Sequence, residues 1–98
     1  MQYMESHPFQ GPYDSAVKIL KMAQRAPDVG CIPLSDIRSF VAVEGGFPRD
    51  CEMGITYGIS MGWLTIKREK SSDEVFVSVT REGMSVNCDE ILNRRLRR

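Results

Sequence analysis

The chain has 98 residues, 42% apolar and 27% charged, and its thirteen basic and thirteen acidic side chains cancel at neutral pH. That composition suits one folded domain with its own core, and it argues against a disordered segment or a polycation that holds nucleic acid by net charge alone. Three scattered cysteines with no Cys-x-x-Cys pair and a lone histidine, His7, speak against a zinc site, and no apolar run is long enough to span a membrane.

In chain order, residues 1–13 read as an extended N-terminal arm containing Pro8, Gly11 and Pro12. The arm is either a partner-contacting or groove-reaching segment or a loose terminus. A domain is expected over 14–98. Asp14 or Ser15 is a suitable cap for a first helix over about 15–26, with Ala16, Ile19, Leu20 and Ala23 on its apolar face and Pro27 as its stop. The connector 28–33 has extended character and could supply a short strand. Ser35 looks like the cap of a second helix, Ser35 to Val43, with Leu34, Ile37, Phe40 and Val41 on one side. Gly45-Gly46 breaks that helix, and Pro48 suits the first turn of a third.

The third helix is expected over Pro48 to about Met61. At 100° per residue, Cys51, Ile55 and Ile59 form its buried side, while Arg49, Met53, Thr56 and Ser60 face away with Tyr57 beside them. Gly54 and Gly58 cost roughly 1 kcal/mol each relative to alanine inside a helix, so they point to close backbone packing against the first or second helix. Beyond Gly62-Trp63-Leu64, two runs rich in β-branched and aromatic residues flank the polar stretch 69–74. They predict a hairpin joining 64–69 to 75–79. Thr80 can cap a fourth helix from Arg81 to Leu96, carrying the stripe Met84, Cys88, Ile91, Leu92 and Leu96. The expected core is Leu20, Ile37, Phe40, Val41, Ile55, Ile59, Leu64 and Val77.

This order, with Gly62-Trp63-Leu64 before the hairpin and Thr80-Arg81-Glu82-Gly83 after it, resembles the winged helix-turn-helix domain of small regulators of the MarR-like and PadR-like kinds. The resemblance covers about residues 14–96. It implies an α+β fold with a three-helix core, a β-hairpin wing and a C-terminal helix. It also implies double-stranded DNA as partner and a role in transcription regulation. The third helix would read the major groove through Arg49, Met53, Thr56, Tyr57 and Ser60, and Lys67, Arg68 and Lys70 of the wing would hold the backbone. A homodimer through the C-terminal helix or the N-terminal arm is expected.

Asp50 and Glu52 at the start of the third helix suit its dipole but repel phosphates. With the zero net charge, they keep a rival reading open, a winged-helix module that binds protein as an adaptor or inhibitor. No catalytic constellation appears, so no enzymatic activity, cofactor or metal is expected. Cys51 lies near a helix start, which can activate a thiol, but its wheel position points inward, as for a structural thiol. Free cysteines and the absence of a signal-peptide pattern suggest the cytoplasm.

Overall fold

The structure, a computed structural model, describes residues 9, 11–26, 31–68 and 73–96. It is α+β. Among the described residues, five helices and three strands follow in the order α1 (Pro12–Gln24), β1 (Cys31–Pro33), α2 (Leu34–Val43), α3 (Pro48–Ser60), β2 (Leu64–Arg68), β3 (Val75–Val79), α4 (Arg81–Met84) and α5 (Cys88–Leu96). The strands form one antiparallel sheet in the order β1-β3-β2. Ile32 lies opposite Val77 in one ladder, and Leu64 opposite Val79 and Ile66 opposite Val77 in the other. The expected hairpin is thus present, and the connector supplies the third strand.

α1 begins earlier than expected. Its first residue is Pro12, whose fixed φ and missing N–H suit that position. Gly11, at φ +110, turns the chain into it. Pro12 and Tyr13 therefore belong to the helix rather than to an arm, and Asp14 is a first-turn residue rather than a cap. Phe9, expected in the arm, is buried in the core. Residues 1–8 and 10 lie outside the described residues.

α2 starts at Leu34, one residue before the expected cap. Pro33 precedes it and no side chain caps it, so Ser35 is inside the helix. α3 is capped from its own third residue: the Asp50 carboxylate accepts the Phe47 N–H at 2.6 Å. Asp50 is accordingly buried, not a surface charge at the side of the helix.

The core gathers Ala16, Val17, Ile19, Leu20 and Ala23 of α1 with Ile37, Val41, Cys51, Ile55, Leu64 and Val77. Two expected members differ. Phe40 is only partly buried, packed against the core's edge, and Ile59 is 40% exposed. α3 is turned so that its glycines face inward. A Cβ on Gly54 would lie 2.9 Å from Ser15 of α1, and one on Gly58 would lie 2.5 Å from Leu64 Cδ1. The close approach of Gly54 to α1 and of Gly58 to the Leu64 side chain, rather than the row of large apolar side chains, sets the rotation of this helix and moves Ile59 to the rim.

The single C-terminal helix is two. Ser85 ends α4, and its hydroxyl donates to the Glu82 carbonyl at 2.8 Å. Asn87 opens α5 by accepting the Glu90 N–H at 3.0 Å. Such short polar side chains compete with the helical ladder and favour its ends. Gln24 of α1 spans the break and donates to the carbonyls of Gly83 at 2.7 Å and Val86 at 2.9 Å. Thr80 caps α4 as expected, accepting the Gly83 N–H at 3.0 Å and donating to the Gly62 carbonyl. No described helix is long and apolar enough to cross a membrane.

Candidate nucleic-acid interface

The hairpin lies beside α3, with most of β2 exposed. Leu64, Ile66 and Arg68 share one face of it with Val75, Val77 and Val79; Thr65 and Lys67 share the other with Phe76 and Ser78. Leu64 and Val77 reach the core, but Ile66, further along the strand, is 47% exposed. Between this face, α2 and α3 lies a groove of about 320 Å³. Leu34, Cys51, Ile55, Ile66, Val75 and Val77 line it with apolar surface; Arg38, Glu52 and Thr56 add the polar groups.

The expected α3 residues divide into two kinds. Arg49, Thr56 and Ser60 are exposed. Met53 and Tyr57 are partly buried. Tyr57 belongs to an aromatic cluster, edge-on to Tyr13 at 5.7 Å and to Trp63 at 6.3 Å between ring centroids. That cluster ties α1 to α3 and the following turn, so Tyr57 is an anchor as well as a surface residue. The Ser60 hydroxyl donates to the Tyr57 carbonyl at 2.7 Å. The Arg49 guanidinium lies over the Phe47 ring, 5.5 Å from its centroid.

On the hairpin, Lys67 and Arg68 are both exposed but point to opposite faces. Arg68 shares the side of Ile66 that overlooks α3, whereas Lys67 lies on the other side. Two of the three hairpin cations expected to act together are therefore split by the strand's alternation. Lys70 falls outside the described residues. Arg38 of α2, exposed and at the groove, was missed by reading the sequence. Its spacing four residues after Leu34, which lines the same groove, is the signal that places it there.

Acidic side chains interrupt this basic set. Glu52 is exposed on α3, and Asp73 and Glu74 are exposed where β3 begins. Cys51 is buried, and desolvation pushes its thiol above the ordinary value, a push that nearby Arg38 only partly offsets. Its sulfur is thus protonated at neutral pH, as for a structural thiol. Among the described residues no group of His, Cys, Asp and Glu side chains could hold a metal ion.

The C-terminal stripe is largely spent on the fold. Cys88 is buried, and Ile91 and Leu92 pack against the core beside α1, where Lys21 pairs with Asp89 at 2.6 Å. Met84 is half-exposed, and the side chain of Leu96 lies outside the described residues. Comparison with protein-family models, with curated proteins and with solved structures gives no match.

Proposed function

We propose that the chain is a small winged-helix DNA-binding protein that regulates transcription, with α3 as the helix that enters the major groove. The observation that carries this reading is the outward row on α3. Arg49, Thr56 and Ser60 remain exposed along one helix, and a hairpin stands beside that helix with Arg68 on the near side. A helix fits the major groove, and Arg and Thr side chains have the donors and methyl groups that base edges recognise. Arg38 and Arg68 would then bind phosphates beside the row and fix the docking register. Lys67, on the far face of the hairpin, has the smaller part.

A mobility-shift series over random and genomic duplexes at low salt tests this. Arg68→Ala should weaken binding to all sequences alike and reduce the salt slope by about one unit. Lys67→Ala should do less. Arg49→Ala should cost about 1–3 kcal/mol on a preferred site and relax preference at one position. If wild-type protein retards no fragment at low salt, where attraction is strongest, the DNA reading fails.

A second reading draws on the groove. Its apolar lining, with Glu52 inside it and Asp73 and Glu74 at the start of β3, is better suited to a protein segment than to phosphates. On that reading the domain is an adaptor or inhibitor. Retention of a partner in the absence of any DNA retardation would favour it.

A further inference from the structure

The strand order β1-β3-β2 leaves β2 at an edge of the sheet. Leu64 is buried, and the rest of the strand is exposed. The phase of its ladder shows which backbone groups face outward. The Thr80 N–H donates to the Trp63 carbonyl at 2.9 Å, one step beyond the facing residues Leu64 and Val79. Bonding alternates along an antiparallel pair. Trp63, Thr65 and Lys67 therefore turn their backbone N–H and C=O groups to β3, while Leu64, Ile66 and Arg68 turn theirs to the open edge. The other ladder agrees with this phase. Phe76 faces Lys67 and bonds β2, so Pro33, its neighbour on the far side, sits where no N–H is required. Among the described residues, nothing bonds the outward backbone groups of Ile66 and Arg68.

The side chains along this edge indicate what it takes. Ile66 is exposed and lines the groove together with Val75, Val77, Leu34 and Ile55. Arg68 shares the face of Ile66, and Lys67 is on the opposite face. β2 carries two cations and no carboxylate; Glu52 belongs to α3, and Asp73 and Glu74 precede β3. Cations along an edge repel another cationic strand, a second β2 included, and attract an acidic one.

We propose that the β2 edge takes up an extended acidic segment of a partner protein as a further strand. Antiparallel addition continues the pattern of the sheet and is the more stable pairing per residue. Main-chain bonds supply the affinity, and the alternating side chains supply the sequence preference. The register then fixes an order. The partner residue opposite Ile66 shares its face and extends the apolar wall of the groove, so it is apolar. The residue before it lies opposite Lys67, and the one before that opposite Arg68, so both are carboxylates. The recognised order is acidic, acidic, apolar, as in Asp-Glu-Ile. This proposal rests on the protein-binding reading above and deepens it; it uses none of the exposed row on α3.

The probe is the peptide Ser-Asp-Glu-Ile-Thr-Val, acetylated and amidated, titrated to about 1 mM and followed by amide resonances of the protein. It should saturate with a dissociation constant on the order of 0.1 mM, and the Ile66 and Arg68 amides should shift most. Methylating the peptide's Ile nitrogen, the donor to the Ile66 carbonyl, should weaken binding about tenfold or more. Methylating its Glu nitrogen, which points away from β2, should change little. The peptide Ser-Lys-Lys-Ile-Thr-Val should bind Lys67→Glu/Arg68→Glu and not wild type. Both positions are exposed, and circular dichroism would verify that the variant is folded. An acidic peptide that does not bind, or two methylations of equal effect, overturns the proposal. So does a dimer of the free chain joined at β2, which would make a second copy the occupant. The broader reading fails separately. If a peptide of other chemistry binds, or the acidic one shifts only residues away from β2, the edge proposal falls and the protein-binding reading stands. If no peptide binds and the protein retards DNA, the protein-binding reading falls with it.

Discussion

Replacing Gly54 by alanine sets two effects of opposite sign against each other. Alanine is favoured over glycine inside a helix by roughly 1 kcal/mol. The new Cβ, however, would lie 2.8 Å from Ile19 Cδ1 and 2.9 Å from both the carbonyl carbon and the Cβ of Ser15. The methyl of Ile19 can move; the backbone of α1 moves only if the helix does. Ile19 and Ser15 are both fully buried, so there is no free space to relax into. Overpacking of this kind costs roughly 1–3 kcal/mol, and a backbone neighbour places it in the upper part of that range. The net expectation is a loss of about 1–2 kcal/mol. Urea unfolding at 25 °C should show the midpoint falling by about 1 M at an unchanged slope. Two other glycines calibrate the argument. At Gly58 the added carbon meets only the Leu64 side chain, so the loss should be smaller. At Gly83 it meets the carbonyl oxygen of Trp63, which is backbone, so the loss should be larger. A Gly54→Ala midpoint at or above that of wild type would refute the idea that α3 is pressed onto α1.

The rotation of α3 has its own test: Ile55→Ala should cost about 2–5 kcal/mol, whereas Ile59→Ala, at the exposed rim, should cost less than about 1.5 kcal/mol. Equal losses in urea melts would mean that Ile59 faces the core after all. The buried thiols predict a fall in stability in alkali. Burial raises the thiols of Cys51 and Cys88 above the ordinary value of 9.0, so the unfolded chain releases these protons first. Between 9.0 and the folded values the native state holds more protons, and stability therefore decreases as pH rises. Cys51→Val should make that decrease shallower, and an equally steep profile in the variant would contradict the assignment.

Periodicity made most of the fold legible. The change from a helical to an alternating pattern at Trp63, and back at Thr80, located the hairpin, and Thr80 was visible as a cap. The misreadings share a physical origin. Ile59 was placed inside because a helical wheel weighs large apolar side chains; the tight packing expected of Gly54 against a neighbouring helix is present, on α1, and it turns the helix so that Ile59 reaches the rim. The C-terminal helix was drawn as one because the apolar stripe runs through Ser85 and Asn87, whose side-chain bonds to the backbone end one helix and start the next. Asp50 was read only as a charge that suits the helix dipole because the N–H it accepts belongs to Phe47, outside the helix pattern. For the candidate interface, the row on α3 was legible from spacing alone. Arg38 was not, because its place depends on how α2 meets α3 and the hairpin. The split between Lys67 and Arg68 was available in the strand's alternation, but their adjacency in the sequence hid it.

The strand order has a consequence for how the chain comes to fold. β3 is the central strand of the sheet, yet it is the last of the three to be made. Its partner β1 lies on the other side of α2, α3 and β2 in the sequence. Val77, fully buried, supplies a piece of core that no earlier residue replaces. During synthesis α1, β1, α2 and α3 are therefore released without the strand that completes their sheet, and Ile32 has no ladder to join. Closing such a long loop is slow compared with forming a helix or the local β2–β3 hairpin. A chain stalled on the ribosome before β3 emerges should be open to protease, and protection should appear abruptly once Val79 has cleared the exit tunnel.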